Sequence, residues 1–308
     1  MKILLQGYTG KSIVDGEMLL LTNYSLSMDE NVIAASGAGK ILTSNMMFRR
    51  FGLNAMRDYP SYRLSMSADV HFPFFMKMIQ RIRGMLSVFM AVSFTDDATG
   101  IDYSFDQAIL TSLSVSVPNN GTASMTMGFE MFRDEIEVNT GHDYDYHAIG
   151  HPHDNIIWDN LMPYWAWGVS YDDFHDDDLL SFDFTFEQPV TPHFGCEALD
   201  SDNAVGPMKV VMGVPKLTYR LEYLLAHATR TNDYAIPSPQ IASDLAKTLD
   251  IRYHRNHVTF IDGAAQNKQD EVLIRFTNCY PDSYTPNLVG GNETVEVNGT
   301  VYGGVVIG

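Results

Sequence analysis

Tyr24 to Gly37 reads YSLSMDENVIAASG, and Phe182 to Gly195 reads FDFTFEQPVTPHFG. Set one above the other without a gap, Tyr24, Leu26 and Met28 fall over Phe182, Phe184 and Phe186. Asp29 then meets Glu187, Val32 meets Val190 and Gly37 meets Gly195. Apolar residues at every second position mark a strand with one buried face. The same pattern twice, followed by the same acid and the same glycine, points to an internal repeat, and a repeat constrains a fold more than any single motif does.

Working outward, the alternation continues through Leu64, Met66, Ala68 and Val70, through Leu113, Val115 and Val117, and through Met125, Met127 and Phe129. The last two runs flank PNNG, whose Asn120-Gly121 tolerates positive φ, and together they predict a long hairpin. A second hairpin is predicted from HVTFID, a polar AAQNKQD turn and EVLIRF. Helical periodicity is read in FPFFMKMIQRIRG, with Phe72, Phe75, Ile79 and Ile82 near one face. It is read again in LTYRLEYLLAHATR, with Leu217, Leu221, Leu224 and Ala228, and in the shorter IASDLAKTL. Each half thus runs alternating strand, Gly-ended loop, strand, amphipathic helix and late hairpin. The expectation is a mainly β protein of two tandem β-sandwich or barrel domains, each with one flanking α-helix. Residues 1–140 form the first and 166–308 the second, joined by an acidic, His-rich segment over 141–165.

The repeat also disposes of the GAGK at 37–40. A phosphate-binding loop needs G-x-x-x-x-G-K-[ST], but Ala34 stands at the first glycine and Ile41 at the hydroxyl. Gly37 is read instead as the exit from a repeated strand.

The 308 residues carry 38 acids against 20 bases, a formal charge of −18. That balance disfavours roles that depend on neutralising nucleic-acid phosphates or anionic lipid. From Asp134 to Met208 there are seventeen acids and no Lys or Arg. The opening MKILLQGYTG is too short in apolar residues for a secretory segment, and no run approaches the roughly 18 apolar residues of a membrane span. A soluble protein with reduced thiols at Cys196 and Cys279 is expected.

His142, His147, His151 and His153, beside Asp143, Asp145 and Asp154, are ligand types suited to zinc. Their spacing fits no common zinc pattern, and Gly150 and Pro152 preclude a helix that would align them. A polar connecting loop is the favoured reading, with a metal-dependent hydrolase as the rival. YDDFHDDDLLSFD lacks the glycine and closing Glu of an EF-hand loop. No G-x-S-x-G elbow, C-x-x-C or dinucleotide fingerprint occurs, so no catalytic residue and no cofactor is expected. Trp165 and Trp167 of PYWAWG read as a core or interface plug, since Trp is enriched at subunit contacts.

Two β domains with alternating strands, an amphipathic helix and a long hairpin each, on an acidic chain without a catalytic motif, resemble the tail tube family of bacteriophages and related contractile injection systems. The resemblance covers roughly Tyr24 to Phe132 and Phe182 to Tyr280. It implies a non-enzymatic virion protein, assembled in the host cytoplasm, whose rings stack into the inner tube of a contractile tail. Such rings contain six chains, or three where domains are tandem as in baseplate hubs; a tail terminator or connector ring is a further alternative. The implied partners are other copies of the chain, sheath or baseplate proteins, a tape measure protein in the lumen and DNA in passage. Candidates for an acidic lumen are Asp96, Asp97, Asp102, Asp172, Asp173, Asp176, Asp177 and Asp178. Carboxylates would repel passing phosphate over a Debye length of about 8 Å. Leu113, Val115, Met125, Met127, Trp165 and Trp167 are the candidates for contacts between subunits. The helices at 72–83 and 217–230 are expected outside the lumen, their Lys and Arg facing an outer partner.

Overall fold

The computed structural model describes residues 10–33, 56–84, 89–96, 101–118, 120–132, 137–140, 167–171, 179–193, 209–224, 247–261, 264–289 and 292–308. Its first half contains β1 (Gly10–Val14), β2 (Glu17–Ile33), β3 (Met56–Asp69), α1 (Phe72–Ile82), β4 (Phe89–Asp96), β5 (Ile101–Val117), β6 (Ser124–Met131) and β7 (Glu137–Thr140). β1 pairs with β2 and β4, β2 with β3, β3 with β6 and β6 with β5. The pairing of β4 with β5 closes a six-stranded antiparallel barrel. The β1–β2 turn is the two-residue Asp15-Gly16, with φ of 54° and 84°, the positive pair that lets a tight hairpin follow the twist of its strands.

Helix α1 forms as its periodicity predicts. Pro73 sits in its first turn, where no amide hydrogen is needed, and Gly84, at φ 82°, ends it by donating to the Arg81 carbonyl at 2.7 Å. Phe74, Phe75, Met78 and Ile79 are buried. Its cations are used within the chain, Lys77 lying 3.4 Å from Glu17 and Arg81 bonding Asp15. Arg81 is thereby nearly buried and does not face outward as expected, whereas Lys77 stays partly exposed.

The second half contains β8 (Trp167–Tyr171), β9 (Leu179–Glu187), β10 (Val190–His193), β11 (Lys209–Met212), β12 (Lys216–Leu224), β13 (Lys247–Ile261), β14 (Ala264–Val289), β15 (Asn292–Val301) and β16 (Val305–Ile307). In chain order, β8, β9, β12, β13, β14 and β15 take the places of β1 to β6. β8 pairs with β13, β13 with β14, β14 with β15, β15 with β12 and β12 with β9. Only the counterpart of the β1–β2 pairing is missing among the described residues.

The register agrees as closely as the order. Tyr24 faces Met66, Met66 faces Met127, and Met127 faces Leu113; likewise Phe182 faces Leu221, Leu221 faces Val297, and Val297 faces Tyr284. The bulge in β5 between Leu110 and Ser112 recurs in β14 between Pro281 and Ser283. The irregularity opposite Met90 and Val92 recurs opposite Lys247 and Leu249. Side chains alternate strictly in a strand, so these registers assign the paired strand residues of one half their counterparts in the other. The gapless alignment of Tyr24 with Phe182 is the one the registers give.

Several expectations are corrected. Lys216–Leu224 is strand β12, with Leu217, Tyr219, Leu221 and Tyr223 buried, not the start of a helix; 225–230 lie outside the described residues. Lys247–Leu249, placed at the end of a short helix, begin β13. AAQNKQD is not a turn but the start of β14, laddered against Arg255 to Ile261. That hairpin corresponds to β4–β5, and the counterpart of the PNNG hairpin is β14–β15. The halves also share one sheet, ordered β4-β1-β2-β3-β6-β5-β9-β12-β15-β14-β13-β8, rather than two separate ones.

The core runs through both halves. Trp167 of β8 packs edge-on against Phe75 of α1, with centroids 5.3 Å apart, and also meets Phe182 and Tyr253. Cys279 of β14, opposite Lys247 of β13, is fully buried, and burial pushes its thiol up to about 12. A thiol that ionises only when unfolded draws stability away as pH rises above its ordinary value near 8.5. Cys279 is therefore expected to resist alkylation in the native protein at pH 8 and to react at once in denaturant. Labelling followed by peptide mass analysis checks this.

Candidate assembly surface

The feature that organises the molecule is the seam between β5 and β9. The amino-terminal part of β5 pairs with β4; from Ser112 onward that edge pairs instead with β9, through Leu113↔Phe186, Val115↔Phe184 and Val117↔Phe182. The other edge carries β7 and then β6. The Gln188 backbone N–H donates to the Thr111 carbonyl at 2.7 Å. By the alternation of an antiparallel ladder, the backbone groups of Leu113, Val115 and Val117 turn toward β9. On the core face the six side chains of these pairs are buried. On the other face the Ser114 and Thr185 hydroxyls meet at 3.2 Å.

A second contact reinforces the seam. The β10–β11 ribbon, an arm continuing β9 and β12, lays Val190, Val210 and Met212 over Ile109 and Phe132 of the first half. In the first half the distal parts of β2 and β3 form the matching arm, with Val32↔Arg57 in the place of Val190↔Met212.

Around β14 a tyrosine cluster closes the core. The Tyr219 hydroxyl donates to that of Tyr171 at 3.0 Å, and the Tyr223 hydroxyl donates to the Val169 carbonyl at 3.2 Å. Burial holds the Tyr171, Tyr219 and Tyr284 hydroxyls above the usual phenol range. Arg220 bridges Asp183 and Glu296 on the outer face, and its guanidinium keeps the Glu296 carboxyl below the usual range. Arg275 grips Asp250 with two bonds of 2.7 Å.

The proposed site residues divide sharply. Asp102 is 2 % exposed and so does not line a lumen, although its strand position sets it opposite Thr95 on the face away from the core-facing Tyr103 and Phe105. Asp96 ends β4. Asp97, Asp172, Asp173, Asp176, Asp177, Asp178, Trp165 and the four histidines lie outside the described residues. Leu113, Val115, Met125, Met127 and Trp167 are buried inside the chain, so they do not meet another subunit; Leu113 and Val115 instead form the seam between halves. Sequence reasoning missed Tyr280, Pro286 and Tyr302 of the second half. The signal available was proline within an alternating strand, which marks an edge whose missing amide faces outward.

Among the described residues no group of three His, Cys, Asp or Glu is placed to hold a metal, and no helix is long and apolar enough to cross a membrane. No protein-family model matches the chain, and no curated protein is significantly similar to it.

Proposed function

We propose that this chain is a structural protein of two tandem tube-like β domains, forming stacked rings of the inner tail tube of a contractile bacteriophage tail. The observation that carries this reading is the twice-repeated pairing order and register, with the halves fused edge to edge into one sheet. A unit whose sheet is extended sideways by a unit of the same pairing order is suited to building a closed wall. The acid-rich composition suits a channel that must not hold DNA. Sheath or baseplate proteins would be the outer partners.

Electron microscopy of the purified protein tests the proposal. Rings or stacked tubes with a central pore are expected. Light scattering that shows only monomer at high concentration, or a pore walled mainly by Lys and Arg, would overturn it.

A further inference from the structure

The strand run β2-β3-β6-β5-β9-β12-β15-β14 has at its two ends the two halves of the seam at its middle. By the shared register, Tyr284, Pro286 and Leu288 of β14 occupy the places of Leu113, Val115 and Val117. Leu26 and Met28 of β2 occupy those of Phe184 and Phe186. Among the described residues β13 leaves β14 after Cys279, and no strand follows it on that edge. Among the described residues none continues along β2, opposite β3, past its pairing with β1. Burial tracks this difference: Val115 is 0 % and Phe184 1 % exposed, whereas Leu26 and Tyr284 are half-buried and Pro286 is exposed.

The arm supplies an independent observation. Ile109 and Phe132, buried under the β10–β11 ribbon, have Tyr280 and Tyr302 as their counterparts. These two rings meet edge to face at 5.5 Å, and Tyr302 is 70 % exposed, an aromatic surface where the first half has a cover.

We infer that a second copy of this chain docks its β2 antiparallel along the open edge of β14, pairing Met28 with Tyr284, Ser27 with Thr285 and Leu26 with Pro286, and lays its β2–β3 arm over Tyr280 and Tyr302. The occupant is another copy because the edge fits the pattern of β9 with its arm, and the β2–β3 segment repeats that pattern in the same register. The polar face matches too: Ser27 and Thr285 reproduce the Thr185–Ser114 hydroxyl pair, and Asp29 with Ser283 reproduces Glu187 with Ser112. Pro286 has no amide to give, so the joint between chains has one ladder bond fewer than the seam within a chain. Different surfaces meet at this joint, so it propagates from copy to copy instead of ending at a dimer. The inference deepens the ring-forming reading above, but it rests on registers within this chain.

Disulfide trapping tests it. Ser27 and Thr285 are exposed, and they would face each other at a non-hydrogen-bonded position, where Cα atoms come within about 4.5 Å and a disulfide fits. In a Cys196→Ser background, oxidised Ser27→Cys/Thr285→Cys protein is expected to give a ladder of covalent multimers that collapses on reduction. A mixture of the two single variants should stop at dimers. Ser114→Cys/Thr185→Cys, as an internal control, should close within one chain and give no ladder. Tyr302→Glu in the double-cysteine protein is expected to leave the melting temperature of unassembled chains unchanged and to lower multimer yield about tenfold.

Absence of the ladder while the internal control closes overturns the joint. An equal ladder from Ser25→Cys/Thr285→Cys overturns its register, and full yield with Tyr302→Glu overturns the arm contact. Pored rings without the ladder would sink this joint and leave the tube reading standing. A ladder from particles without a pore would sustain the joint and sink the tube.

Discussion

Phe184→Asp is expected to leave the second half unfolded. Phe184 is 1 % exposed, lies in the β5–β9 seam opposite Val115, and packs on Phe276 with centroids 5.3 Å apart. Removing the aromatic alone costs about 3 to 5 kcal/mol. A carboxylate in its place has no cation within the pairs that surround it, and an uncompensated buried charge adds a cost of similar size. A whole domain is commonly stable by only about 5 to 15 kcal/mol. Circular dichroism and thermal melts should show loss of β structure or a collapsed transition. A soluble variant with an unchanged melting temperature would contradict the seam.

The second large effect is a rescue. At one position of the repeat the first half pairs Leu64 with Phe129, and the second half pairs Tyr219 with Gly299. The Tyr219 ring lies where a Cβ on Gly299 would have to sit, and the Tyr280 carbonyl crowds the same place. Gly299→Phe alone therefore forces Tyr219 out of place, breaks its bond to Tyr171 and costs roughly 3 kcal/mol or more, at the upper end of overpacking. Tyr219→Leu alone opens a cavity. The two together relieve the clash with the Tyr219 ring, while the contact of a Cβ with the Tyr280 carbonyl persists, so the rescue is expected to be partial. Denaturant titration of the four proteins is expected to give a favourable coupling of about 2 kcal/mol, within the range for residues in contact. Additive losses would mean that the two halves do not share packing at this site.

The alternation in YSLSMD and FDFTFE made the β class and the repeat legible, because a strand with one buried face writes its geometry directly into the sequence. LTYRLEYLL was ambiguous. Leu217, Leu221 and Leu224 fit a helix, yet Leu217, Tyr219, Leu221 and Tyr223 fit a strand equally well, and the buried tyrosines, which favour strands, decide it. AAQNKQD read as a turn because it is polar, although Asp262-Gly263 just before it carried the stronger turn chemistry. Asp102 was judged from its charge, yet it is buried on the strand face opposite Tyr103 and Phe105, which neither charge nor alternation announces. The seam itself was beyond sequence: which edge of β5 meets which edge of β9 depends on closure of the first barrel, and no local pattern encodes that.

The edge-to-edge seam also has a mechanical consequence. In a ring assembled by the inferred joint, the circumference is one sheet, and pressure from within puts its ladder bonds under hoop tension. Joints within a chain are backed by the covalent backbone from β6 to β8 and covered by the arm of the same chain. Joints between chains have no such tether and lack the bond that Pro286 cannot make. Under rising load the ring would part at alternate joints, shedding whole chains with their internal seams intact.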